Sequence, residues 1–378
     1  MPMDEEKPKK KRKKAAAEEG EPKEHKKPWR EYTATVEDIQ NFLMDRVLLR
    51  HNVITGRVEF RIPDTDNWQP ISDRIVNSLW AELSATKTVR VQDMYRVIES
   101  DFVPEFHPFC FYLEPLPPWN GEDYILAMSV TVSVKGDVEE QLLFAEYLRK
   151  WLVGMVAGWV DESVVNNVIL VLIGEQGSYK TTWFNHLLPL ELRQYFYTKT
   201  NAQRTGRDDL LTLAQYGLVC CEELDTMRPS ELNQLKAAVT MPSIDERAAY
   251  AHFHEHRKHI ASFCGTGNNV QFLSDPTGNR RWLPFEIERI TSPREVPFDY
   301  EGIYAQAYAL YQQGFQYWFS REDVLRLSEH NRQFETPRLE EELVQLYFRT
   351  PGQNEPGEFV SVAYALQLIS AKDRKSVV

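Results

Sequence analysis

The run Val168-Ile169-Leu170-Val171-Leu172-Ile173 contains no polar residue. A strand with one wet face alternates apolar and polar positions, so a run apolar at every position predicts a strand covered on both sides. Strands of that kind sit in parallel sheets whose crossover helices form the cover. Two further runs, Leu218-Val219-Cys220-Cys221 and Ile260 to Cys264, have the same character, with helical sequence between them. The middle third therefore reads as α/β with a mostly parallel sheet.

Directly after the first run stands Gly174-Glu175-Gln176-Gly177-Ser178-Tyr179-Lys180-Thr181-Thr182, then an apolar helix with Trp183, Phe184, Leu187 and Leu188. The pattern G-x-x-x-x-G-K-[ST] between strand and helix is the phosphate loop. Backbone N–H groups cradle a β-phosphate, the Lys reaches the β- and γ-phosphates, and the hydroxyl holds Mg²⁺. Gly174, Gly177, Ser178, Tyr179, Lys180, Thr181 and Thr182 are the expected nucleotide loop, with ATP and Mg²⁺ as cofactors. Tyr179 stands where the second glycine is usual, which puts a Cβ where positive φ is expected. Gly177 is available to absorb part of the turn. The second run ends in Glu222-Glu223-Leu224-Asp225, where one carboxylate is needed for Mg²⁺ and another to orient water. Thr181 and Glu222 are the expected metal side. Glu222 and Glu223 both stand as catalytic acids, and their division of labour stays open.

At 378 residues the chain has room for two or three domains. With 42% hydrophobic and 26% charged residues it is globular, which excludes collagen-like, coiled-coil and wholly disordered chains. The net charge of −12 is unevenly spread: residues 1–28 hold ten Lys/Arg and seven Asp/Glu, so the remainder is more acidic still. A body that acidic does not coat duplex DNA, so any nucleic-acid contact must be local, in a groove or pore. The apolar run Trp151 to Val160 is too short to span a bilayer, and the charged start without an apolar stretch leads us to expect no secretion signal. Cys110, Cys220, Cys221 and Cys264 show no framework spacing, which fits a reducing compartment. A cytoplasmic protein without membrane contact is expected.

Residues 1–30 read as a disordered basic tail around Lys9-Lys10-Lys11-Arg12: a solvated linker, a nuclear-import signal or a nucleic-acid-binding arm. Residues 31–150 read as a mainly helical domain, with helices over Val36–Arg46, Ile71–Leu83, Val91–Ser100 and Gln141–Gly158 and a hairpin around Thr55-Gly56. Residues 151–290 form the expected nucleotide domain. Residues 291–378 form a helical accessory domain, with Ser320 and Asp323 as a capping box. Its abrupt end leads us to expect an incomplete last domain.

Three more segments carry a resemblance: Leu235-Lys236 leading to Thr240, Asp245, Arg247 and Tyr250; Gly265-Thr266-Gly267-Asn268-Asn269; and Asp275-Pro276-Thr277-Gly278-Asn279-Arg280-Arg281-Trp282. With the loop and the acidic strand end, the chain resembles the virulence-associated E family of Bacteroidetes-type mobile elements and phages. Those are P-loop ATPases similar to superfamily 3 helicases within the AAA+ group. The resemblance implies a parallel-sheet ATPase core, a DNA helicase or translocase activity in replication, a homo-oligomer as a hexameric ring, and a primase partner. It makes Asn268 or Asn269 the polar sensor and Arg280 and Arg281 the arginine fingers supplied to a neighbouring subunit. It makes Met241 to His259 a DNA-contacting hairpin, where Lys236, Arg247, Arg257 and Lys258 meet phosphates of single-stranded DNA and Tyr250 or Phe253 stacks on a base. His252, His254, His256 and His259 in that segment read as polar hairpin residues rather than a zinc site. Two other functions compete: a nucleic-acid-binding or interference factor that hydrolyses ATP slowly, and a metal-dependent nuclease, for which no carboxylate cluster is evident.

Overall fold

The computed structural model describes residues 33–199, 212–246, 255–274, 279–337, 343–344, 346–349 and 356–373. The chain divides into two compact units, the first comprising residues up to Arg50 and Val58–Pro104, the second His51–Arg57 and everything from Glu105 on.

In the first unit, α1 (Val36–Arg46) opens with a capping box, Thr35 accepting from the Asp38 N–H while Asp38 accepts from that of Thr35. After it come strands β1 (Leu48–Asn52, which runs on into the second unit), β2 (Arg57–Arg61) and β3 (Gln69–Pro70) and helices α2 (Asp73–Ser84) and α3 (Val91–Ile98). The helices bury one stripe each, and Ile39, Leu43, Val76, Leu79, Leu83, Met94 and Val97 form their common core with Phe60. The expected hairpin is present, with β1 and β2 as neighbours in one sheet.

The second unit is a mixed α/β fold: a central sheet flanked by helices. After β4 (Glu105–Phe106), α4 (Pro108–Leu113) and α5 (Tyr124–Ser129) come the sheet strands β5 (Val132–Val134), β6 (Ile169–Ile173), β7 (Phe196–Lys199), β8 (Leu218–Cys221), β11 (Ser262–Gly267) and β12 (Trp282–Ile290). They lie in the order β5-β12-β6-β11-β8-β7. All are parallel except β5, which runs antiparallel to β12. Side chains alternate across the sheet: Leu170 and Leu172 enter one core with Cys220, Cys264, Leu283 and Phe285, while Ile169, Val171 and Ile173 enter the other with Val219, Phe263 and Trp282. β6 is buried at every position, as its sequence requires.

Helix α6 (Val138–Val160) covers the first face. Its indoles satisfy themselves on strand-end carbonyls, Trp151 on Phe263 O at 2.9 Å and Trp159 on Gly217 O at 3.2 Å. The expected domain boundary at 150/151 falls in the middle of this helix. The helix Tyr300–Gln312 also belongs to this unit: Tyr300 and Tyr304 donate their hydroxyls to His186 O and Leu187 O, just beyond the helix that starts at Lys180. Among the described residues no helix is long and apolar enough to cross a membrane. The basic tail lies outside the described residues.

Candidate nucleotide site

The parallel register brings three strand ends to one place. Ile173 of β6 pairs with Gly267 of β11, and Gly265 of β11 pairs with Cys221 of β8. The segments Gly174–Lys180, Glu222–Asp225 and Asn268–Asn269 therefore leave the sheet side by side at its carboxyl edge, where open α/β sheets bind ligands. They enclose a pocket of about 500 Å³ lined by Gln176 to Thr182, Glu222, Glu223, Thr266, Gly267 and Asn268.

Gly174 is required at its place, because a Cβ there would stand 2.7 Å from Ile287 Cγ1. Gly177 has φ +84° with open space around it. Tyr179 has φ +64° and ψ 15°, so the left-handed turn expected of a glycine is made by a tyrosine, whose side chain is half-exposed. Gly177 thus shares the turn with Tyr179 and does not replace it. Lys180 opens helix α7 (Lys180–Asn185) and is 8% exposed. Its ammonium donates to Gly174 O and Glu175 O at 2.7 Å each, with Ser178 Oγ at 3.2 Å and Asn268 Oδ1 at 3.4 Å. Burial pushes the Lys180 pKa down, and the charge of Asp225 opposes that shift.

Thr181 donates its hydroxyl to Glu222 Oε1 at 2.7 Å. A hydroxyl and a carboxylate at this spacing are hard oxygen donors of the kind that hold Mg²⁺, directly or through water. Glu223 is exposed on the pocket wall and has φ +54°, a second left-handed residue without the freedom of glycine. Asn268 points its Oδ1 towards Lys180, whereas Asn269 accepts the Gln271 N–H at 3.0 Å within its own turn. The sequence reading gave no role to Asp225. Its two oxygens accept the N–H groups of Asn268 and Asn269, a contact across 43 and 44 residues that no local pattern announces. Thr182 and Ser178 line the same pocket.

Arg280 and Arg281 stand elsewhere. They end a 3-10 turn, Asn279–Arg281, that precedes β12. Trp282 is level with Ile169 and Glu286 with Ile173, so the arginines lie at the amino edge of the sheet. Roughly 17 Å of strand separates them from the pocket of their own chain. The turn is braced: Asn279 Nδ2 donates to Glu335 Oε1 at 2.7 Å, and Asn331 donates to Asn279 O and Trp282 O. Arg280 is exposed, and burial together with Arg280 pushes the Arg281 pKa down.

The expected hairpin takes shape as β9 (Ser243–Glu246) paired antiparallel with β10 (Glu255–Lys258). Two of the lysines expected to meet phosphates are engaged or buried within the fold. Lys258 donates to Gly158 O at 3.1 Å and to Asp161 O, ending α6, and burial pushes its pKa down. Lys236 lies in the helix Pro229–Val239 and is 7% exposed. Arg257 is half-buried, and a Cβ on Gly56 would meet its guanidinium. Arg247, Tyr250, Phe253, His252 and His254 lie outside the described residues. His259 is fully buried and donates Nδ1 to Met241 O at 2.7 Å. Among the described residues no group of three His, Cys, Asp or Glu is placed to hold a metal.

Comparison with known proteins agrees with the fold. No curated protein matches the chain by sequence. The structure is similar to the apo structure of the NrS-1 C-terminal region, with a TM-score of 0.51 at 13% identity, covering 81% of this chain and 76% of that one. Two further structures of that region give 0.48 and 0.47, at 12% and 13% identity, each over 81% of this chain and over 76% and 73% of theirs. The signature of the virulence-associated protein E-like domain matches residues 113–336, which takes in the whole six-stranded sheet and every loop of the pocket. The chain belongs to the virulence-associated protein E-like domain family.

Proposed function

We propose that the protein is a P-loop ATPase of the AAA+ group, similar to superfamily 3 helicases, that acts on single-stranded DNA in the replication of a phage or mobile element. The observation that carries this reading is the convergence of Lys180, the Thr181–Glu222 pair and Asn268 on one pocket.

Each group then has a role that its position supports. Lys180, buried and surrounded by loop carbonyls, supplies the fixed cation for the β- and γ-phosphates of ATP. Thr181 and Glu222 would hold Mg²⁺, which would offset the charge on the phosphate oxygens. That leaves Glu223 to orient the attacking water. Asn268 faces Lys180 and is the polar sensor, whereas the side chain of Asn269 is spent on its own turn. The distance between Arg280 or Arg281 and the pocket of the same chain favours their use in trans, at the ATP of a neighbouring subunit in a hexameric ring. A primase partner and a cytoplasmic location belong to the same reading.

A second reading is a nucleic-acid-binding or interference factor that hydrolyses ATP without unwinding. The burial of Lys236 and the use of Lys258 as a helix cap favour it, because they remove two cations from the hairpin's expected DNA contacts. ATP hydrolysis measured with and without single-stranded DNA, beside unwinding of a forked duplex, separates the two. The motor should hydrolyse ATP faster with DNA and open the fork. Lys180→Ala should abolish turnover and leave the fold intact; wild-type hydrolysis by that variant would refute the nucleotide loop.

A further inference from the structure

We propose that Asp225 is a positioning residue for turnover: its carboxylate holds the Asn268–Asn269 turn against the phosphate loop and so sets where the Asn268 amide stands. The inference rests on the nucleotide reading of the pocket and adds a residue to it.

The geometry is specific. Asp225 lies in a 3-10 turn, Leu224–Thr226, that begins where Glu223 takes its left-handed conformation. Oδ1 accepts the Asn268 N–H at 3.2 Å and Oδ2 the Asn269 N–H at 3.1 Å. Two consecutive amides on two oxygens of one carboxylate fix both the position and the tilt of a turn, and hydrogen bonds to a charged acceptor are the stronger kind. β11 is shaped to receive this contact. A Cβ at Gly265 would stand 2.3 Å from Leu224 Cδ1, and one at Gly267 would stand 3.2 Å from Asp225 Oδ1. Both glycines of Gly265-Thr266-Gly267 thus let the 224–225 turn lie on the strand. The acid-bearing loop and the sensor turn become one mechanical piece, with Asn268 held 3.4 Å from the Lys180 ammonium.

The test has two readouts on the full chain. Amide hydrogen exchange without nucleotide reads the contact itself. Asp225→Asn, which is isosteric, sets an N–H₂ against one of the two amides and should speed exchange at Asn268 and Asn269 by on the order of tenfold or more, while β11 amides keep their rates. Unchanged exchange there overturns the proposal. Turnover reads the consequence. Asp225→Asn should lower kcat by roughly 10- to 100-fold with ATP affinity held within about threefold. In an Asn268→Ala background it should add little, because Asp225 acts through the placement of a side-chain amide that the alanine already lacks. Losses that simply multiply overturn the proposal. Asp225→Glu keeps the charge near Lys180 but moves the carboxylate by one methylene, so it should behave like Asp225→Asn; wild-type turnover in it would show a charge partner and overturn positioning. A wild-type protein that neither binds nor hydrolyses ATP overturns this proposal together with the proposed function. Active wild-type protein with additive losses overturns this one alone.

Discussion

Tyr179 and Glu223 hold φ of +64° and +54°, where a Cβ crowds the backbone and costs about 1–2 kcal/mol. Both line the pocket, and strained backbone gathers where a ligand or reaction needs a geometry that the chain would not choose. Tyr179→Gly should relieve that strain, and the greater freedom of glycine when unfolded offsets part of the gain, leaving a net stabilisation of roughly 0.5–1 kcal/mol. Gly177→Ala, at φ +84° with no neighbour to meet, should instead destabilise by about 1 kcal/mol from the backbone alone. Urea unfolding midpoints of the two variants check both signs, and a destabilised Tyr179→Gly would show that the ring's contacts outweigh the strain. At this scale the sequence is legible where chemistry is local. Lys180 and Thr181 follow a strand by a fixed count of residues, so their meeting with Glu222 needs only that the second strand lie nearby. Asp225 was hidden in a row of acids, because what distinguishes it is a pair of amides 43 and 44 residues away.

The hairpin β9–β10 and helix α6 show how an element takes residues for its own structure. The last carbonyls of a helix lack partners, and the Lys258 ammonium satisfies Gly158 O and Asp161 O from a segment 100 and 97 residues away. Lys258→Ala should therefore leave those acceptors unmet and destabilise the protein by about 1–3 kcal/mol. The salt dependence of single-stranded DNA binding should stay as it is in that variant. A slope lowered by about one unit, with stability unchanged, would return Lys258 to the DNA surface. The hairpin's place between Met241 and His259 came from the family resemblance, and β9 and β10 pair there. No local pattern announces the places that Lys236 and Lys258 take, since a lysine in a helix or strand looks alike whether its head is in water or on a distant carbonyl. The start of α6 at Val138, three residues before the periodic stretch from Gln141, comes from Asp137, whose carboxylate caps the first turn.

For the molecule as a whole, the arginines at the amino edge and the pocket at the carboxyl edge lead to a mixing experiment. Lys180→Ala subunits offer intact arginines, and Arg280→Ala or Arg281→Ala subunits offer an intact pocket. Each protein alone should be inactive, the arginine variants losing ~10³-fold or more in turnover while still binding ATP. Mixed and allowed to exchange, they should regain part of the hydrolysis. Confirmed exchange without recovery would argue against shared sites. The sheet order carries a further consequence, for synthesis on the ribosome. β6 is flanked by β12 and β11, and both are made after it. From the time Ile173 is translated until Glu286 follows, five fully apolar residues wait with at least one open edge, and open apolar edges recruit other chains. A fragment of residues 105–281 should collect in inclusion bodies, whereas one of residues 105–336 should partition into the soluble fraction. The strand that positions Lys180 is therefore also the part of the nascent chain most in need of a chaperone.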